Sequence, residues 1–167
     1  MVNSVDCYKE IDCKSSIMDD LLLIADNSEL FVEYFNFGAK LVPKDVFLKD
    51  SFLKSLHDKH TFNAAILLIR SKNIYNWHID DNRGASLNMM IRGDNSHCLF
   101  SNEPLSTVNS FIELEYKPST YYLLNTQQHH SVINFGEDRL MFSIEFDEDK
   151  NSLDYYDLLT GFFLSGV

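Results

Sequence analysis

Hydrophobic and polar positions change their period once along this chain. Between residues 45 and 58, "DVFLKDSFLKSLHD" places Phe47, Leu48, Phe52, Leu53 and Leu56 on one helical stripe, with Lys and Asp opposite. The preceding stretch, "IMDDLLLIADNSELFVEYFNF", predicts one or two shorter helices, with a break at Asn27-Ser28 and Pro43 separating it from the 45–58 stripe. Residues 1–60 are therefore expected to be a helical N-terminal part. From about residue 62 the runs become short and β-branched or aromatic: "FNAAILLIR", "NIYNWHI", "ASLNMMI", "SHCLF", "SFIELEY", "TYYLLNT", "HHSVINF" and "RLMFSIEF". Polar or glycine-containing segments such as "DDNRG", "RGDNS" and "NFGED" separate them. Strands following helices in this way predict a mainly β protein, an antiparallel sandwich or barrel over 62–147 with the helices on one outer face.

The last of these runs also predicts facing. In "RLMFSIEF", Leu140, Phe142, Ile144 and Phe146 alternate with Arg139, Met141, Ser143 and Glu145, so one face is wholly apolar. If that face meets the helices, Arg139 and Ser143 point into the barrel. A buried guanidinium needs a carboxylate or comparable partner, and Glu145, at the far end of the strand, and Glu113 are the internal candidates. A bound anionic ligand is the alternative partner.

Composition narrows the partners. The 167 residues are 45% hydrophobic and show no internal repeat, low-complexity tract or linker, so a single domain over 1–167 is expected. The formal charge of -11 and the scattered Lys and Arg disfavour duplex nucleic acid. No apolar run approaches the roughly 18 residues of a membrane span. Cys7, Cys13 and Cys98 have no C-x-x-C spacing, and "MVNSVDCYKEIDCKSS" lacks the basic and apolar regions of a secretory signal, so free thiols and a cytoplasmic setting are expected. The C-terminal segment 151–167 carries Leu153, Tyr156, Leu159, Phe162 and Phe163 as an apolar stripe. Docking of that stripe on its own barrel, in a monomer, is favoured over a dimer interface.

The stretch "NWHIDDNRGASLN" spends His78 and Asp80 where a strand would bury hydrocarbon. Both aim at one point if the backbone bends at Ile79, and a histidine from "QQHHSVIN" would complete two imidazoles and one carboxylate. That donor set is the facial triad of non-haem Fe(II) enzymes. Spacing alone leaves His129 and His130 open. His57 and His60 read as a solvated helical face or as partners of the helix C-terminal dipole, and His97-Cys98 as strand surface and core. Tyr75, Trp77, Tyr121 and Tyr122 are divided between pocket and core.

"WHIDDNRGASLN" and "HSVINFGEDRLMFSIEF" together resemble the 2-oxoglutarate and Fe(II)-dependent oxygenases, most of all the small phage and bacterial type. The resemblance implies a double-stranded β-helix (jelly-roll) core. It implies His78, Asp80 and His130 as catalytic iron ligands, since His130, Val132, Asn134 and Arg139 meet the distal His-x-Val-x-Asn pattern followed by Arg. It implies that Arg139 holds the distal carboxylate of 2-oxoglutarate, a job suited to a planar guanidinium. Many members have serine two residues after that arginine. Here Met141 stands there and the hydroxyl comes at Ser143. Asn88 in "LN" is a further inward amide for the co-substrate. The implied activity is hydroxylation of a small molecule or protein side chain, coupled to decarboxylation of 2-oxoglutarate to succinate. A cupin-type metal enzyme, or a non-catalytic jelly-roll module that binds a metal or anion, are the competing readings.

Overall fold

The computed structural model describes residues 3–101, 103 and 110–164, with side chains described as far as Gly161. All eight strands read from the sequence are present. They are β4 (Phe62–Ile69), β5 (Asn73–His78), β6 (Ala85–Arg92), β7 (Ser96–Ser101), β8 (Ile112–Leu114), β9 (Thr120–Asn125), β10 (His129–Asn134) and β11 (Arg139–Phe146). The N-terminal part departs from expectation. It holds helices α1 (Ser4–Cys7), α2 (Met18–Asp26), α3 (Lys44–Phe47) and α4 (Ser51–Lys59), but also strands β1 (Tyr8–Lys14), β2 (Val32–Glu33) and β3 (Gly38–Leu41). Helix α5 (Tyr155–Leu164) comes after the last strand.

The strands form two antiparallel sheets in a mainly β jelly-roll arrangement. The larger has the order β1-β9-β6-β11-β4-β3-β2 and the smaller β5-β10-β7-β8. Strands β1, β2 and β3 therefore extend both ends of the larger sheet. Their pairing partners lie far away in sequence, Tyr8 opposite Leu124 and Gly38 opposite Leu68. Hydrogen bonding to an existing sheet edge decided these segments, and no local period reports it.

Helix α2 ends where the break was read, at Asn27, whose backbone is extended. The stretch 45–58 divides into α3 and α4 because Asp50 interrupts it. The Oδ1 of Asp50 accepts from the backbone N–H groups of Phe52 and Leu53, which caps α4. The remaining Asp50 oxygen accepts from the N–H and hydroxyl of Ser16 and from the Tyr121 hydroxyl.

Strands β9 and β11 of the larger sheet are buried on both faces, apart from Glu145. Leu140, Phe142, Ile144 and Phe146 pack with Leu21 of α2 and Leu53 and Leu56 of α4 in the outer core, together with Ala64, Ile66, Leu87 and Leu123. A second core lies between the sheets, where Ile69, Tyr122 and Leu124 meet Cys98, Phe100, Leu114 and Val132. The period-two alternation of β11 thus sends its apolar set to the helices and Arg139, Met141 and Ser143 into the space between the sheets.

Candidate metal centre

The facing strands β5 and β10 deliver the site. His130 lies directly opposite His78 in their register, and the pairing shifts just beyond, between His130 and Val132. The two imidazole rings stand 4.2 Å apart, centroid to centroid. The chain leaves β5 after His78, and the Asp80 backbone N–H then bonds to the Thr126 carbonyl at 3.0 Å. This anchor turns the Asp80 carboxylate back toward the rings. One donor atom from each of His78, Asp80 and His130 lies within 4.8 Å of the others, the single such group of three among the described residues.

The hydrogen bonds fix which atoms face the centre. Nδ1 of His78 is 2.6 Å from the Asn76 carbonyl oxygen, and Nδ1 of His130 is 2.9 Å from that of Gln128. A carbonyl only accepts, so each Nδ1 carries the proton and each Nε2 presents a lone pair. Those Nε2 atoms lie 3.5 and 3.8 Å from Asp80 Oδ1. Nε2 of His78 is buried without a hydrogen-bond partner, an arrangement that a metal ion would satisfy. Burial, and then His78, hold the His130 imidazole down at about 4, which keeps it neutral. For Asp80, burial pushes the carboxyl up, but His78, Arg83 and His130 together outweigh it and leave the group lowered and ionised. Two imidazoles and one carboxylate make a donor set suited to a divalent transition metal.

His130 is 8% exposed and lines the cavity between the sheets. His129, one residue earlier, stands opposite Ser101 on the other side of the strand and is not in the group. The choice that spacing left open is therefore made by the parity of β10.

Arg139 is 3% exposed and lines the same cavity. Neither internal carboxylate candidate reaches it. Glu145 is exposed, and Glu113 pairs with His97. The guanidinium lies over the Tyr116 ring, 5.8 Å from its centroid, and one Nη is 3.6 Å from the Met141 sulfur. Its Nε is buried with no hydrogen-bond partner. A cation this deep without a carboxylate among the described residues is poised for an anion entering the cavity.

Asn88 and Ser143 also line this cavity and face each other across β6 and β11. Ser143 does not reach the guanidinium. Its hydroxyl lies 3.1 Å from that of Ser86, which donates to the Ile144 carbonyl or to Asn88. Tyr75 lines the cavity and touches the His78 ring, whereas Tyr121 and Tyr122 are fully buried in the two cores. His57 is not solvated as read. It is buried against the rings of Phe47 and Phe62, while His60 pairs with Glu148.

Sequence reasoning missed Tyr116, Thr126 and Gln127. Tyr116 comes after a short strand with no periodic mark, and burial pushes its phenol well up, so it stays a neutral donor beside Arg139. Gln127 donates to the carbonyls of both Asp80 and Arg83 at 2.8 Å. The signal available for it was a polar run between β9 and a ligand histidine.

No protein-family model matches this chain, and no curated protein matches it in sequence. Solved structures do match in shape. A prolyl-4-hydroxylase from Pseudomonas putida superposes with a TM-score of 0.61 at 13% identity, covering 84% of this chain and 92% of that one. The viral collagen prolyl hydroxylase from Paramecium Bursaria Chlorella virus-1, solved as a 2-oxoglutarate complex, gives 0.57 at 17%, covering 82% and 93%. HygX from Streptomyces hygroscopicus, solved with nickel, 2-oxoglutarate and hygromycin B bound, gives 0.62 at 12%, covering 87% and 84%. The chain therefore shares the jelly-roll fold of these solved oxygenase structures, with a two-histidine, one-carboxylate group at the cavity between its sheets.

Proposed function

We propose that this protein is an Fe(II)- and 2-oxoglutarate-dependent oxygenase, a hydroxylase over a single domain spanning 1–167. The observation that carries the reading is the buried Arg139 guanidinium, without a carboxylate among the described residues, lining the same cavity as His130. A cupin-type metal enzyme, or a module that binds only a metal, needs the triad but has less reason to keep that cation inside the barrel.

His78, Asp80 and His130 would hold the iron through the two Nε2 atoms and Asp80 Oδ1. When bound, the iron and 2-oxoglutarate supply oxygen activation and the electrons for it, with release of succinate and carbon dioxide. Arg139 receives the distal carboxylate of the co-substrate, and the neutral Tyr116 phenol lies beside it as a further donor. Asn88 and Ser143 offer an amide and a hydroxyl from the cavity wall. Phe37, Tyr75 and Val132 narrow the apolar side of the cavity and restrict water near the reacting atoms. The oxidised substrate is a protein side chain or a small molecule. Support for both comes from the neighbouring folds, which include prolyl hydroxylases and a protein holding hygromycin B.

The test is anaerobic addition of Fe(II) and then 2-oxoglutarate, with absorption followed in the visible range. A charge-transfer band that appears only when both are present is expected. Stoichiometric iron binding without such a band would overturn the co-substrate assignment and leave the cupin-type or binding-module reading.

A further inference from the structure

The Asp80 carboxylate is held asymmetrically. Oδ1 faces the two imidazole Nε2 atoms at 3.5 and 3.8 Å, whereas Oδ2 accepts a 2.7 Å hydrogen bond from Nε of Arg83. We propose that Arg83 is a positioning residue that reserves Oδ2, limits Asp80 to one ligating oxygen, and so keeps three positions open on a metal held by the triad. This rests on the metal reading of His78, Asp80 and His130.

The Arg83 backbone is gripped from two sides. The Thr126 hydroxyl and the Gln127 amide both donate to its carbonyl, at 2.7 and 2.8 Å, and the same amide donates to the Asp80 carbonyl. On the other side, Lys150 N–H donates to the Asn82 carbonyl. Gly84 lies so close to the C-terminal segment that a Cβ there would collide with the Leu153 carbonyl oxygen. Residues 80–84 are thus fixed between the β9–β10 turn and the segment leading into α5, which delivers the guanidinium to one carboxylate oxygen.

An exposed pair three residues apart would be worth little. This one differs because the Asp80 side chain is only 8% exposed and its second oxygen would otherwise be free to chelate. A carboxylate in that state takes one coordination position more, at the expense of one of the three that a facial triad leaves open. A purely structural role for Arg83, neutralising a buried carboxylate, predicts lower stability with unchanged coordination.

Mn(II) alone serves as the probe, because its relaxation of water protons reports how many exchangeable waters it carries. Bound to the parent protein it should carry one water at each open position. Arg83→Met keeps the apolar stem but frees Oδ2, and the relaxation per bound Mn(II) should fall by about a third as one water of three is displaced. Arg83→Lys, which retains a donor, should restore the parent value. Thr126→Val removes one anchor of the Arg83 carbonyl while leaving the guanidinium, should fold more readily, and is expected to give an intermediate value. Equal relaxation in parent, Arg83→Met and Thr126→Val overturns this proposal alone. A parent that binds no Mn(II), or binds it equally after His78→Ala, overturns the metal reading and the proposal with it.

Discussion

His78 and His130 each spend Nδ1 on the carbonyl two residues before, which leaves one lone pair per ring for the centre. Replacing His78, Asp80 or His130 by alanine should therefore abolish stoichiometric Fe(II) binding measured anaerobically, while His129→Ala retains it. The metal-free site also carries a pH signature. The folded pKa of His130 is depressed to about 4 from 6.5, so the unfolded chain binds more protons between those values. The stability linked to this group is complete above pH 6.5 and is lost as the pH falls toward 4. The lowered Asp80 acts in the same direction. Metal-free protein should lose on the order of 3 kcal/mol through His130 over that window. Urea midpoints should show it, and His130→Gln should flatten the pH dependence. Arg139→Ala should weaken 2-oxoglutarate binding by about 2 to 5 kcal/mol, the range for truncating one partner of a buried charge pair, with little change in iron affinity. Equal 2-oxoglutarate affinity in calorimetry would remove Arg139 from that role.

Helix α4 and strand β9 are joined through one carboxylate. Asp50 caps α4 with Oδ1 and with its other oxygen takes the Tyr121 hydroxyl and two donors of Ser16. Asp50→Ala would leave the helix N–H groups of Phe52 and Leu53 and the Ser16 N–H short of acceptors, while the Tyr121 hydroxyl keeps the Ser15 hydroxyl at 2.9 Å. The cost should be about 3 kcal/mol, combining a lost cap with unsatisfied buried donors. Because Asp50 works on the outer face of the larger sheet, iron affinity should be preserved, as denaturant melts and anaerobic titration together would show. Strand β11 explains this insulation. Its even-numbered residues meet the helices and its odd-numbered residues Arg139, Met141 and Ser143 line the cavity, so one backbone serves two separate environments.

Over the whole molecule, the C-terminal segment closes the structure onto the site. Leu153, Tyr155 and Leu158 are buried in the outer core, Tyr155 donates to the Val5 carbonyl, and Gly84 bridges to Asp154. Docking on its own barrel is as expected, but the buried face differs from the stripe read in the sequence. Tyr156 is exposed, Leu159 is half-buried, and Phe162 and Phe163 lie outside the residues whose side chains are described. Deleting residues 151–167 should lower the thermal midpoint. It should also weaken metal binding, because the support behind Gly84 is removed. A truncated protein with parental stability would show that the segment contributes nothing to the fold. Among the described residues no helix is long and apolar enough to cross a membrane.

Periodicity alone determined the eight strands from 62 onward, the helix ending at Asn27, and the facing of Arg139 and Ser143. Period two and helical period are properties of the local backbone, written directly in where carbon and charge fall. The same sequence carried His78 and Asp80 as a His-x-Asp pair after a readable strand, and His130 through its resemblance to the distal pattern of the oxygenases. Long-range pairing decided the rest. Strands β1, β2 and β3 exist because the edges of the larger sheet offered them hydrogen bonds, and their own residues carry no comparable period. His130 was separated from His129 by its register against His78, and His57 was placed in the core by the rings of Phe47 and Phe62. That Arg139 lacks a carboxylate among the described residues, while Arg83 has Asp80, is set by which side chains the two sheets bring face to face. Such pairings depend on separation in space between residues far apart in the chain, a quantity that composition and spacing do not contain.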